Sequence, residues 1–270
     1  MSEKVVVVIF IHKENPDEYE LISFRQCFKI LHKHPIKVIA PEGLDLHLYN
    51  EVLQNAFEVI FVERKWLSSI SQYNRFKLSR YFYSLVSNYE YLLTYELDAF
   101  VFSDQLNEWC EKGYDFIGAP WYRGKSEPLI PYEFLGVGNS GFSLRKIKSF
   151  KTILKHVFFP SPAGKKLGFE WIKAAIMYLY VSIRTAFFEN YSIQKYFEGA
   201  EDLVLHGYSV DFPNRLKIPT PQIALSFSFE TIPSHSYILN QSRLPFGCHA
   251  WWRYDLGFWK PFIESFGYKL

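Results

Sequence analysis

Two acids one residue apart, Glu96 and Asp98, close an apolar run at 91–95. If that run is a strand, its period of two turns both carboxylates to one side, where they can converge on one cation. Hard oxygen ligands suit Mg²⁺ or Mn²⁺, which also accept water and phosphate oxygens. By itself the pair reads equally well as an acidic strand end in solvent. A second acidic pair, Glu201-Asp202, precedes the apolar Leu203-Val204-Leu205. There a helix dipole favours an acid and holds it rigidly. Small residues in Asn139-Ser140-Gly141 would let backbone approach a ligand closely, and Asn139 could hydrogen-bond it; a tight turn entering a strand is the alternative. His249 has no second Cys or spaced His beside it, so zinc is not indicated. Trp121, Trp251 and Trp252 are flat side chains on which a sugar ring could stack.

These groups need a scaffold. The β-branched run at 5–11 reads as a strand buried on both faces of a parallel sheet. Helical spacing follows at 18–32, then short strands at 37–40 and 58–62. The alternation argues for an α/β domain with parallel strands. A long helix is expected at 73–87, carrying Arg75, Lys77 and Arg80, and it leads to the strand at 91–95. Another helix is expected at 104–112 and a short strand at 115–117. With its prolines and glycines, 118–138 reads as loop. A strand at 142–144 and a helix at 146–156 come next. The stretch 171–188 reads as a helix apolar around most of its circumference, either a core helix or one lying on a lipid surface. A helix begins at 202–206, and the tail from 219 reads as turns and short strands. No linker or repeat divides the chain, so one domain is expected over 1–270, with a helical insertion around 160–198.

Composition sets bounds. The 270 residues are 49% hydrophobic and 21% charged, ordinary for a globular chain, but 19% are aromatic. A formal charge of +2 leaves no basic surplus of the kind nucleic-acid binding needs. Lys146 with Lys148, and Lys165 with Lys166, could favour an anionic lipid surface, though such clusters are usually just solvated. Cys27, Cys110 and Cys248 are scattered and odd in number, which supports no disulfide framework. A cytoplasmic location is therefore expected, with peripheral contact at the inner face of a membrane left open. The apolar run near the start is too short for a signal peptide, and nothing approaches the ~20 apolar residues of a membrane span.

In order along the chain, the helix with Phe76-Lys77-Leu78 and the strand ending in Glu96-Leu97-Asp98 resemble glycogenin and related GT-A glycosyltransferases. Those enzymes carry an Asp-x-Asp metal motif; here Glu96 takes the first acidic place. Gly138-Asn139-Ser140-Gly141-Phe142 resembles the loop that lies against their donor sugar. Ala200-Glu201-Asp202 resembles the motif whose Asp is the catalytic base of inverting members. Gly247-Cys248-His249 resembles the C-terminal histidine that completes the metal site. Together YELDAFVF, YDFIGAPW, GVGNSGFSLRK, AEDLVL and FGCHAWW look like a bacterial glycosyltransferase-like family catalogued as a domain of unknown function, over roughly 73–262 outside the insertion.

The resemblance implies a single GT-A domain, Rossmann-like, with a mainly parallel central sheet flanked by helices. It implies a divalent cation, Mn²⁺ or Mg²⁺, held by Asp98 and His249, with Glu96 direct or through water. A nucleotide-diphosphate sugar such as a UDP-sugar would be the donor and a glycan or glycoconjugate the acceptor. His12 would lie where base and ribose are held, and Arg75 or Lys77 would add a positive contact to the diphosphate. Asp202, next to Glu201, would be the base of an inverting transfer. A retaining transferase and a catalytically silent binding module remain open alternatives.

Overall fold

A computed structural model describes residues 3–53, 57–156, 176, 179–180, 183–184, 199–211 and 215–270. The continuous apolar run becomes β1 (Glu3–Phe10), and Val6 to Ile9 are completely buried. α1 (Glu18–Leu31) starts on a capping box in which Asp17 accepts from the Glu20 N–H and Glu20 accepts from the Asp17 N–H. β2 (Ile36–Pro41), α2 (His47–Leu53) and β3 (Glu58–Val62) follow, then a 3₁₀ turn at Arg64–Leu67.

The long helix expected at 73–87 is two helices, α3 (Ile70–Lys77) and α4 (Arg80–Leu85). Ser79 breaks it: its hydroxyl accepts the Phe82 N–H and starts a new helix, as Ser69 does for α3. Beyond lie β4 (Tyr89–Tyr95), β5 (Phe100–Val101), α5 (Leu106–Glu111) and β6 (Phe116–Ile117). The segment expected as loop contains an antiparallel pair, β7 (Pro120–Tyr122) and β8 (Phe134–Val137). Then come β9 (Phe142–Lys146), α6 (Ile147–His156) and α7 (Glu201–Asp211).

The tail is more helical than expected. It holds α8 (Pro221–Leu225), β10 (Ser228–Phe229), α9 (Pro233–Leu239), β11 (Gly247–Cys248) and α10 (Leu256–Glu264). Pro221 and Pro233 sit in the first turns of α8 and α9, where a missing N–H costs nothing.

The central sheet runs β3-β2-β1-β4-β9-β6. The first four strands are parallel, while β9 is antiparallel to both β4 and β6. The expected mixed α/β fold with a mainly parallel sheet is the one observed. A small sheet, β10-β11-β5, brings the tail against the segment that follows β4. Much of the aromatic excess is core: Phe142, Phe227 and Phe246 pack ring to ring, as do Phe10, Phe76 and Phe82.

The helical insertion expected around 160–198, including 171–188, lies outside the described residues except for five positions, of which Ile176, Leu179, Tyr180, Ile183 and Arg184 are helical. Among the described residues no helix is long and apolar enough to cross a membrane.

Candidate active site

Sheet register builds the site. β1 and β4 pair as far as Ile9 and Tyr95, so the chain leaves β4 at the carboxyl edge of the parallel strands, where open α/β sheets hold ligands. The Glu96 N–H donates to the Gly141 carbonyl (2.8 Å), and a turn closes when Ala99 N–H donates to the Glu96 carbonyl (2.9 Å). β5 then pairs antiparallel with β11, Phe100 opposite Cys248, which sets His249 beside Asp98. Two segments far apart in the chain, at Phe100 and Cys248, meet through backbone pairing.

Glu96, Asp98 and His249 each direct one ligand atom into a common space, all within 4.8 Å of one another. His249 Nε2 lies 3.0 Å from Asp98 Oδ1 and 3.5 Å from Glu96 Oε2. Asp98 Oδ1 and His249 Nε2 are buried, and neither makes a geometrically sound hydrogen bond. Orphaned buried atoms of this kind call for a partner. Cis ligands about 2.1 Å from an octahedral cation stand about 3.0 Å apart, so the donor set fits a hard divalent ion. Burial opposes a charged His249 ring, but Asp98, Glu230 and Glu96 outweigh it and raise its pKa well above the usual value.

Glu96 is held from behind. Its Oε1 accepts from Lys77 Nζ (2.9 Å) and from the Tyr73 hydroxyl (2.7 Å), leaving Oε2 toward His249. Burial opposes its charge, yet Lys77, His249 and Tyr73 hold its carboxyl well below the usual range. The longer side chain in the first acidic place thus reaches two buried donors with one oxygen and the cluster with the other.

Lys77, expected with Arg75 as a candidate for a positive contact to the diphosphate, is completely buried. Besides Glu96 it donates to Ser140 Oγ (2.8 Å) and lies 3.4 Å from Glu201 Oε2. Glu201, also completely buried, pairs with Arg145 as well. Two cations and two carboxylates thereby compensate one another inside the protein; removing a single member of such a set costs about 3–5 kcal/mol. The expected catalytic part for Glu201 is corrected by this burial, since both its oxygens face internal cations. Arg75 is half-buried and is not part of the cavity lining.

The Asn139-Ser140-Gly141 loop works on the same cluster. Asn139 takes a left-handed backbone, φ 60°. Its Oδ1 accepts from the Gly141 N–H (2.9 Å), which turns Nδ2 toward His249 Nδ1 (2.9 Å). The Ser140 carbonyl accepts from Thr94 Oγ1 (2.7 Å) in β4. A Cβ on Gly141 would come within 2.0 Å of His249 Nε2. Gly141→Ala is therefore expected to fold but to displace the imidazole. Its uptake of Mn²⁺, measured by calorimetry, should fall at least about 10-fold while its circular dichroism is unchanged.

A cavity of about 420 Å³ opens on this cluster. It is lined by His12 and Phe10 at the end of β1, by Leu67 to Ile70 before and at the start of α3, and by Glu20, Tyr73, Glu96, Leu97, Asp98 and Trp252. Its described lining carries three carboxylates and no Lys or Arg. Ser68, Ser69 and Glu20 carried no signal in the sequence, because each reads as an ordinary loop or helix-start residue.

The three tryptophans part company. Trp252 lines the cavity. Trp251 is completely buried, donates its indole N–H to Ser23 Oγ (2.9 Å) and meets Trp252 edge-on at 4.9 Å. It supports the wall from behind and offers no free face to an acceptor. Trp121 is 6% exposed, pressed on Gly138, where a Cβ would meet the indole at 2.2 Å, and it contacts His206 at 5.5 Å.

Asp202 sits half-buried in the first turn of α7 and is not part of the cavity lining. Burial pushes its carboxyl up to about 6; Glu201 and Glu230 add to the rise, while Lys77 and the Leu203 N–H oppose it. The influence of Glu230 is informative, since Glu230 Oε1 is 3.1 Å from His249 Nδ1. Asp202 is thus within electrostatic reach of the group that holds the cluster's histidine.

The architecture is the GT-A fold of nucleotide-diphospho-sugar transferases. The chain belongs to the family described as "Protein of unknown function (DUF5672)", whose profile matches residues 56–249. No curated protein matches it. Among solved structures it is similar to an active-site mutant of LgtC, at 12% identity over 90% of this chain and 86% of that one, with a TM-score of 0.51. It is also similar to mouse xyloside xylosyltransferase 1, at 10% identity over 91% and 97% of the two chains, with a TM-score of 0.50. The glycosyltransferase GlyE of Streptococcus pneumoniae TIGR4 matches at 13% identity and a TM-score of 0.45; this chain covers 54% of its length. At such identities the likeness is one of fold.

Proposed function

We propose that the protein is a metal-dependent glycosyltransferase that moves a sugar from a nucleotide-diphosphate donor to a hydroxyl of a glycan acceptor, with inversion. The observation that carries this reading is the pair of orphaned ligand atoms, Asp98 Oδ1 and His249 Nε2, 3.0 Å apart at the edge of a cavity of about 420 Å³. The lining supports it on charge. It carries Glu20, Glu96 and Asp98 and, among the described residues, no Lys or Arg. Lys13 and Lys77 are engaged with Glu20 (2.7 Å) and Glu96 (2.9 Å), so a diphosphate gains from a cation that enters with it. A neighbour of the same fold, mouse xyloside xylosyltransferase 1, is named as a sugar transferase.

Asp98 and His249 would hold the ion, with Glu96 Oε2 facing the same space. A bound Mn²⁺ or Mg²⁺ would act as a Lewis acid that offsets charge on the departing diphosphate. The chain supplies the rest. Phe10, Leu67 and Trp252 give apolar walls for a flat base and ribose, and His12 and the Ser68 and Ser69 hydroxyls give polar contacts. Lys77 and Tyr73 keep Glu96 ionised and fixed. Asp202 takes the proton from the acceptor hydroxyl as that oxygen attacks the anomeric carbon, a task matched to a carboxyl raised to about 6.

A panel of nucleotide sugars with Mn²⁺ tests the reading by thermal denaturation and nucleotide release. A donor present at 100 times its Kd should add about 2.7 kcal/mol to the native state, several degrees in melting temperature. Stabilisation should need Mn²⁺ and be absent with the bare sugar. No shift with any donor overturns the proposal. Stabilisation without nucleotide release points to a silent binding module instead. The anomeric configuration of the product, read by NMR, tells inversion from retention.

A further inference from the structure

We infer that Glu230 is a positioning residue of the metal site, fixing His249 through the ring nitrogen that faces away from the ion; this rests on the metal reading above. Glu230 and His249 follow directly on β10 and β11, which run parallel with Phe229 opposite Cys248. The His249 N–H donates to the Phe229 carbonyl (3.0 Å), so the pairing continues one step beyond the strands and sets the two side chains next to each other. Glu230 Oε1 comes within 3.1 Å of Nδ1, while Nε2, on the far side of the ring, faces Asp98 and Glu96. Both side chains are shielded, Glu230 at 16% exposure and His249 at 14%.

An imidazole that binds a cation through Nε2 must carry its proton on Nδ1, and an acceptor on that proton fixes both tautomer and ring direction. Nδ1 has two neighbours here, and they differ in kind. Asn139 presents its Nδ2, because its Oδ1 is taken by the Gly141 and Phe142 N–H groups. An amide NH₂ cannot accept a proton. Glu230 can, and among the described residues it is the carboxylate at Nδ1. It therefore selects the ring form whose Nε2 lone pair points at the ion. In that ring form Asn139 Nδ2, itself a donor, makes no hydrogen bond to Nδ1, so Glu230 and Asn139 favour opposite tautomers and Glu230 must outweigh the amide.

Mn²⁺ alone, titrated calorimetrically into the metal-free full chain, tests this without any turnover. Glu230→Ala should weaken Mn²⁺ binding about 10- to 100-fold, the usual cost of losing such a partner. Glu230→Gln keeps an acceptor oxygen without its charge and should lose less. Melting temperatures of the metal-free variants should stay near that of the parent. Parental affinity in Glu230→Ala overturns the role of Glu230 alone. Equal losses in both variants, tracking a lowered metal-free melting temperature, also overturn it by showing a general structural part. Absence of Mn²⁺ uptake by the parent protein is a separate result, which sinks the metal site itself.

Discussion

Asp98→Ala is expected to abolish Mn²⁺-dependent binding of a nucleoside diphosphate, with a loss of at least about 100-fold, or about 3 kcal/mol. Of the two carboxylates at the cluster, Asp98 is the one whose Oδ1 is buried without a hydrogen-bond partner. Glu96 cannot replace it, since Lys77 and Tyr73 already draw on its charge through Oε1. His249 and Glu96 Oε2 would be left facing the cation, without the carboxylate closest to the imidazole. The fold should survive the change: what Asp98 gives the tail is its backbone carbonyl, which accepts the Trp251 N–H (3.3 Å), and alanine keeps that carbonyl. Calorimetric titration of a nucleoside diphosphate with and without Mn²⁺ reads the effect. Undiminished metal-dependent heat would remove Asp98 from the site.

His249→Ala is the natural companion, but it removes a hub rather than a ligand. The ring also meets Asn139 and Glu230, and burial would leave those polar groups facing a void. Asp98→Ala separates ligation from architecture more cleanly.

The contrast between these two residues reflects what a sequence can carry. Glu96 and Asp98 are legible because two acids closing an apolar strand break a local pattern, and the pattern names the sheet edge they occupy. β1 and α1 are legible for the same reason, since each buries one face or both along its own length. Lys77 misleads because its charge is visible in the sequence and its burial is not. Only the fold shows that Glu96, Ser140 and Glu201, drawn from three other segments, converge on its ammonium group. Glu230 is silent for a related reason. Its meaning comes from β10 lying beside β11, two-residue strands too short to leave a period in the sequence. The tail from 219 hides its helices because Pro221 and Pro233, usual breakers, stand where helices begin.

Asp202→Asn is expected to retain donor and Mn²⁺ binding and to lose turnover by about 10²–10⁴-fold, the range a general base contributes. Two pH effects sharpen this expectation. Asp202 acts as a base only when ionised, so turnover of the parent protein should rise with pH through about 6, and the variant's residual rate should lack that limb. Stability should move the other way. Burial and the neighbouring Glu201 and Glu230 raise the carboxyl above its unfolded value, so the folded state holds this proton more tightly than the unfolded chain does. The cost of ionising Asp202 is absent at low pH, grows as pH climbs from the ordinary aspartate range through about 6, and is complete above it. Asparagine never ionises. The variant should therefore melt close to the parent at pH 4, already above it by pH 5 and by the full margin at pH 8, a gain that accompanies the loss of catalysis. Near-normal turnover would strip Asp202 of the part of base. Lost turnover with no difference in melting between pH 4 and pH 8 would mean that the carboxyl is not held in the shielded, acid-flanked setting that makes it a base.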